Sequence, residues 1–125
     1  RPFITQRIIR ENIEVCKTTD AVDTVVPAFD TIVESKDNER ISNIPVRSQM
    51  YLGQTPQTFN VETFINVYSS LTSEEKNILT DACKMFIIKN KEVKVINGES
   101  YNIKITTPYD LKMASLMLGV EEKND

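Results

Sequence analysis

The chain has 125 residues, 40% hydrophobic and 26% charged, with a formal net charge of −3 and no histidine. This is the composition of a globular domain with one modest core. It excludes a basic nucleic-acid surface, Ser-His-Asp or Cys-His catalysis, and histidine-ligated metals.

No apolar run approaches the roughly 18 residues of a membrane span. The opening Arg1-Pro2-Phe3 has no apolar leader character, so a cytoplasmic protein is expected. Cys16 and Cys83 show no paired spacing and read as reduced, buried thiols.

Thr5 is placed to cap a helix running to about Lys17, with Ile8, Ile9, Ile13 and Val15 or Cys16 on its apolar face. Thr18 to Asp20 form a polar turn. Ala21 to Phe29, rich in Val and Thr, reads as a strand in a buried sheet.

Residues 30–51 are different in kind. Thr31 to Lys36 is strand-like, Asp37-Asn38 is a turn pair, and Glu39 to Ile44 returns. Such a hairpin has too few apolar residues for its own core and is marginal alone in water. It either lies on the domain surface or packs on another subunit. Arg47 follows on the returning limb.

Gln54 to Phe59 reads as a rigid linker, because Thr55 precedes a proline and is held extended. Asn60 caps a helix from Val61 to about Ser70. Thr72 and Glu75 form a capping box for a short helix through Ile78. Thr80-Asp81 opens a further helix, with Ala82, Met85, Phe86 and Ile87 inward. Glu92 to Ile96 and Tyr101 to Ile105 read as partner strands across a tight Asn97-Gly98 turn.

The last part of the chain carries the sharpest local pattern. Tyr101, Ile103 and Ile105 alternate with Asn102, Lys104 and Thr106, as in a two-faced strand. Thr107 then stands as an N-cap, Pro108 at the first helical position, and Asp110 as the reciprocal partner of the cap. Leu111, Ala114, Leu116 and Leu118 supply an apolar side for the helix, and the charged tail after Gly119 is expected to fray. Lys104, a charge in a half-buried strand, has two readings. It snorkels off a sheet edge, or it faces an anion beside the donors of Thr106, Thr107 and the helix N-terminus.

These residues carry a resemblance. Asn102-Ile103-Lys104-Ile105-Thr106-Thr107-Pro108-Tyr109-Asp110-Leu111 resembles the C-terminal motif of the cytidylyltransferases that activate sugar- and polyol-phosphates. Asp23 to Ile32, Gly53 to Phe59 and Leu79 to Ala82 agree with further motifs of that family, in family order. The family includes the 2-C-methyl-D-erythritol 4-phosphate and the ribitol-5-phosphate cytidylyltransferases.

The resemblance implies an α/β fold: the C-terminal half of a Rossmann-like nucleotidyltransferase sheet, with residues 30–51 as a protruding β-hairpin dimerisation arm. Arg1-Pro2 matches the end of an Asp-Ala-x-Arg-Pro motif whose Asp is not in this chain. No glycine-rich loop is present, since the only glycines are Gly53, Gly98 and Gly119. The chain is therefore expected to be part of a larger enzyme whose preceding half binds CTP.

The implied reaction is attack of a polyol phosphate on the α-phosphorus of CTP, with pyrophosphate leaving and a magnesium ion accompanying the nucleotide. Such a displacement needs positioning and charge neutralisation more than covalent help. Lys104 and a partner subunit's Arg47 match the residues that hold the acceptor phosphate. Thr31, Thr80, Thr106 and Arg1 match substrate-binding positions, and no metal ligand falls in this chain. Arginine suits the task, since guanidinium binds phosphate in a planar, bidentate manner. Asp81 reads equally as a pocket residue and as a helix cap, and Asp110 as a cap alone.

The approach from Arg47 to Gln57, the absence of tryptophan, and Tyr101 and Tyr109 resemble the ribitol-phosphate branch. The methylerythritol branch is the alternative acceptor. A non-catalytic acceptor-binding and dimerisation fragment is the alternative of another class.

Overall fold

Thr5 opens the first helix as its side chain accepts a hydrogen bond from the Ile8 amide, and α1 runs over Gln6–Cys16. The computed structural model describes residues 1–119. The tail expected to fray lies outside the described residues. After α1 come β1 (Ala21–Pro27), β2 (Tyr51–Phe59), α2 (Val61–Ser70), α3 (Ser73–Asn77), α4 (Ala82–Ile88), β3 (Lys94–Asn97) and α5 (Pro108–Met117). The strands form one mixed sheet in the order β2-β1-β3, with β1 antiparallel to β2 and parallel to β3.

β1 is central and buried on both faces, which is why its sequence is a near-continuous Val/Ala/Thr run. Its successive side chains point to opposite sides. Val22 packs with Ile8 and Ile96 under α1, with Val15 and Cys16 at the edge. Ala21 packs on the other side with Val67 of α2, Leu71, and Met85 and Phe86 of α4. Three layers result, helix on sheet on helices. Phe86 stacks on Phe59 at a centroid distance of 5.2 Å, and Phe64 meets Phe59 edge-on at 5.1 Å. The free thiols are Cys83, buried, and Cys16, half-buried.

One polar network crosses the α1 face. Asn12 is buried in α1 and donates to the Ile8 carbonyl and to Thr24 Oγ1, each at 2.9 Å. Thr58 donates to Asn12 Oδ1 at 3.0 Å, and Thr24 donates to the Pro56 carbonyl at 2.8 Å. Every arm of the buried amide is used, so the network fastens α1 to both β1 and β2.

The capping expectations agree with the structure. Asn60 accepts from Thr63, and Thr72/Glu75 and Thr107/Asp110 form reciprocal boxes at α3 and α5. Asp81, not Thr80, is the N-cap of α4, accepting from the Lys84 amide at 3.0 Å.

Four expectations are corrected. Gln54 to Phe59 is strand, not linker. Pro56 fits because β2 lies at the edge of the three-stranded sheet, the register shifts opposite it between Asp23 and Val25, and the Thr24 hydroxyl binds its carbonyl.

Tyr101 to Ile105 is not a strand and makes no hairpin with β3. The Gly98 amide donates to the Val25 carbonyl at 2.8 Å, extending the parallel pairing of β3 with β1, so the chain runs on instead of turning back. A Cβ at Gly98 would stand 2.3 Å from Gln54 Oε1 and 2.9 Å from Thr24 Cγ2, so a larger residue here would force these side chains to shift. Gln54 and Asn102 then tie the following loop to β2: Gln54 donates to the Glu99 carbonyl at 2.9 Å, and Asn102 to Gln54 Oε1 at 3.1 Å.

Residues 30–50 fold back on themselves at a single antiparallel bridge, Glu34 to Asn43, rather than as two paired strands. Asp37 organises the tip by accepting from the Glu39 and Arg40 amides, with Asn38 at φ 63°. Val33, Ile41 and Ile44 of this segment are all exposed.

The apolar faces of α1 and α5 are only partly covered. Ile9 and Ile13 are exposed on α1; on α5 Ala114 is buried while Leu111, Leu116 and Leu118 are exposed.

Candidate active site

The sheet brings Arg1 and Lys104, at opposite ends of the sequence, to one cleft beside the start of β2. One part of the cleft is about 380 Å³ and is lined by Arg1, Gly53, Gln54, Gln57, Asp81 and Lys104, among others. An adjoining part of about 510 Å³ shares Arg1, Gly53, Gln54 and Lys104 and continues past Phe29 and Asn102. The Arg1 guanidinium is held by donating to the Asn102 carbonyl. Burial lowers the Arg1 pKa from its ordinary value, and the negative charge of Asp23 opposes that shift. Lys104 is exposed, and its ammonium enters no ion pair among the described residues.

Asp110 holds the turn after Lys104. Its Oδ2 accepts from the Thr106 and Thr107 amides at 3.1 and 2.8 Å, and these bonds, the Thr107 amide first, keep its carboxyl below the usual range. Thr106 is exposed, and its hydroxyl donates to the Lys104 carbonyl at 3.4 Å. The capping box thus fixes the backbone on which Lys104 projects.

The remaining expected site residues stand apart from the cleft. Thr80 is exposed just before Asp81 and does not line either part. Thr31 and Arg47 lie on the exposed 30–50 segment, and Arg47 donates to the Phe29 carbonyl at 3.3 Å. Neither lines the cleft of its own chain.

Sequence reasoning named Asp81 as a pocket or cap residue but missed the polar cluster that joins it to Gln57 and Asp23 beside the cleft. Gln57 Nε2 donates to two carboxylates, Asp23 Oδ1 at 3.3 Å and Asp81 Oδ2 at 3.0 Å. Asp23 is half-buried in the middle of β1. Burial pushes its carboxyl up, aided by nearby Asp81 and opposed by the Gln57 hydrogen bond. Beneath it the Cys83 thiol is pushed up to about 12, by burial first and then by Asp23 and Asp81, which makes it an inert core thiol. The available signal was a carboxylate inside a buried Val/Thr strand, the same anomaly that singles out Lys104.

The Asp23 shift has a sign that melting can test. Its native pKa is raised, so the native state holds the proton where the unfolded chain has released it. Stability therefore falls as pH rises from the ordinary carboxylate range through the native pKa. Asp23→Asn removes this loss. In thermal melts the Tm of the variant relative to wild type is expected to rise from about pH 4 to about pH 7. A difference that stays constant with pH would contradict it.

The family model for 2-C-methyl-D-erythritol 4-phosphate cytidylyltransferase (IspD) matches residues 1–120. The chain belongs to the IspD cytidylyltransferase family. It is similar to the 4-diphosphocytidyl-2C-methyl-D-erythritol synthase of Anaerococcus prevotii, with 28% identity and a TM-score of 0.81, covering 95% of this chain and 55% of that one. It is also similar to the 2-C-methyl-D-erythritol 4-phosphate cytidylyltransferase of Thermus thermophilus, with 25% identity and a TM-score of 0.80, covering 96% and 58%. The enzyme of that name from Francisella tularensis shares the fold, with 24% identity, a TM-score of 0.83, and 93% and 54% covered. The chain spans little more than half the length of these IspD structures. The mixed three-stranded sheet with helices on both faces is part of their nucleotidyltransferase fold.

Among the described residues no group of three or more His, Cys, Asp or Glu side chains is placed to hold a metal ion.

Proposed function

We propose that this chain is the acceptor-binding part of a longer cytoplasmic enzyme that transfers CMP from CTP to D-ribitol 5-phosphate. The products are CDP-ribitol, a precursor for teichoic-acid-type polymers, and pyrophosphate. The observation that carries the reading is the meeting of Arg1 and Lys104 on one cleft in a chain of this family.

In this reading Lys104 holds the acceptor phosphate, in line with the α-phosphorus of CTP. A cation so placed neutralises charge and orients the nucleophile, which is most of what the displacement requires. Arg1 flanks the same cleft. Arg47 and Thr31 reach the phosphate of a partner subunit, whose site is completed by the 30–51 segment of this one. The exposed Val33, Ile41 and Ile44 on that segment suit burial between two subunits of a homodimer. Thr80 and Thr106 offer hydroxyls at the rim. Magnesium arrives with the nucleotide phosphates, and no step is assigned to it.

A second reading takes 2-C-methyl-D-erythritol 4-phosphate as acceptor, and it is favoured by the names of the relatives above. The test is pyrophosphate release by the longer enzyme with CTP, magnesium and either acceptor, side by side. Preference for ribitol 5-phosphate is expected. Preference for the methylerythritol phosphate replaces the acceptor and keeps the Lys104 role. Release with neither leaves a binding and dimerisation module as the better account.

A further inference from the structure

Lys104 stands on a stretch, 98–107, that is neither helix nor strand, so hydrogen bonds decide where its side chain projects. On one side the Asp110 cap holds the Thr106 amide, two residues after Lys104. On the other side, two residues before it, stands Asn102, the one buried residue of 98–107. Asn102 Nδ2 donates to Gln54 Oε1 at 3.1 Å and to the Thr55 carbonyl at 2.9 Å, both in β2. Its main-chain N–H donates to the Glu99 carbonyl at 3.0 Å, and Gln54 donates to the same carbonyl at 2.9 Å. The Asn102 carbonyl accepts from the Arg1 guanidinium. A single residue thus ties the loop to the sheet, receives Arg1 and fixes the backbone that leads into Lys104.

This arrangement has a cost. Asn102 Oδ1 is buried and has no hydrogen-bond partner among the described residues, and a buried acceptor left unpaired lowers stability. An apolar residue would avoid that cost but would offer β2 no donors, and the loop would lose its tie to the strand. We infer that Asn102 is a positioning residue: by clamping the loop to β2 it fixes where Lys104 stands relative to Arg1, and so the place at which the acceptor phosphate is held. It acts through these two cations and touches no substrate itself. The inference rests on the acceptor-phosphate reading above and deepens it. A displacement of about 1 Å at such a site is enough to lower the rate steeply.

The test uses the longer enzyme with CTP, magnesium and ribitol 5-phosphate. Asn102→Ala removes both side-chain donors and leaves the carbonyl that Arg1 uses. It is expected to lower kcat/KM for ribitol 5-phosphate at least about tenfold while the KM for CTP stays put. In a Lys104→Ala background the same substitution is expected to cost under about threefold, because the cation it positions is already gone. A residue that only stabilised the fold would cost the same in both backgrounds. Should the alanine variant fail to fold by circular dichroism, Asn102→Ser, which keeps one hydroxyl donor, decides. Its loss is expected to be smaller and to shrink in the same way when Lys104 is absent. Wild-type kinetics, or equal losses with and without Lys104, would overturn the positioning role while leaving Lys104 its own. Absence of CMP transfer by the wild-type enzyme to any polyol phosphate would overturn the functional reading itself, and this inference with it.

Discussion

Replacing Lys104 with alanine in the longer enzyme is expected to lower turnover at least about tenfold, or roughly 1.4 kcal/mol of barrier. The side chain is exposed and forms no ion pair among the described residues, so its removal leaves no buried group stranded. Folding should be untouched, with a melt that overlays wild type. Arg47→Ala is expected to give a loss of similar size, since the proposal has both cations address one phosphate. The two variants have a joint signature. In the proposed homodimer Lys104 comes from one subunit and Arg47 from its partner, so a mixed dimer of the two inactive variants is expected to regain one intact site. Random mixing should restore about a quarter of wild-type activity. Wild-type kinetics in both single variants would remove these residues from the mechanism. Inactive singles whose mixture stays inactive would place both in one subunit's site.

Phe86→Ala is expected to destabilise the protein by about 3–5 kcal/mol. Phe86 is fully buried, stacks on Phe59, and contacts the ring of Phe64 at a centroid distance of 6.5 Å. It sits where α2, α4 and β1 meet, with Ala21, Val67, Leu71 and Met85 around it, so no neighbour is free to fill the void. Loss on this scale is a large share of the roughly 5–15 kcal/mol that holds a domain folded. In urea the midpoint should drop while the slope of the transition stays constant. A shift under about 1 kcal/mol would mean that the ring cluster relaxes around the hole. Phe86→Leu keeps most of the volume and should cost less.

What was legible in the sequence was local. Thr5, Asn60, Thr72 with Glu75 and Thr107 with Asp110 cap helices through bonds spanning a few residues, and each cap is present. The buried character of Ala21 to Val26 was legible because a strand covered on both faces has no polar side to display. What escaped depends on partners far along the chain. Asn97-Gly98 has the composition of a hairpin turn, yet the Gly98 amide is taken by Val25 and the next segment is held by Gln54 instead. Pro56 argues against a strand until the edge position of β2 and the Thr24 hydroxyl are known.

The candidate site divides the same way. Arg1 and Lys104 were identified from motif resemblance, and the fold sets them on one cleft. The pairing of Asp23 with Gln57 and Asp81 arises from the cross-strand register that sets Asp23 opposite Gln57 and from the start of α4. No spacing rule within the sequence places those three side chains together.

The reaction itself is tested most directly by identifying its nucleotide product. The longer enzyme would be incubated with CTP, magnesium and ribitol 5-phosphate and followed by phosphorus NMR. The account predicts that CTP disappears as CDP-ribitol and pyrophosphate grow in equal amounts. CTP left intact, or cleaved to CMP and pyrophosphate with ribitol 5-phosphate unchanged, would contradict it.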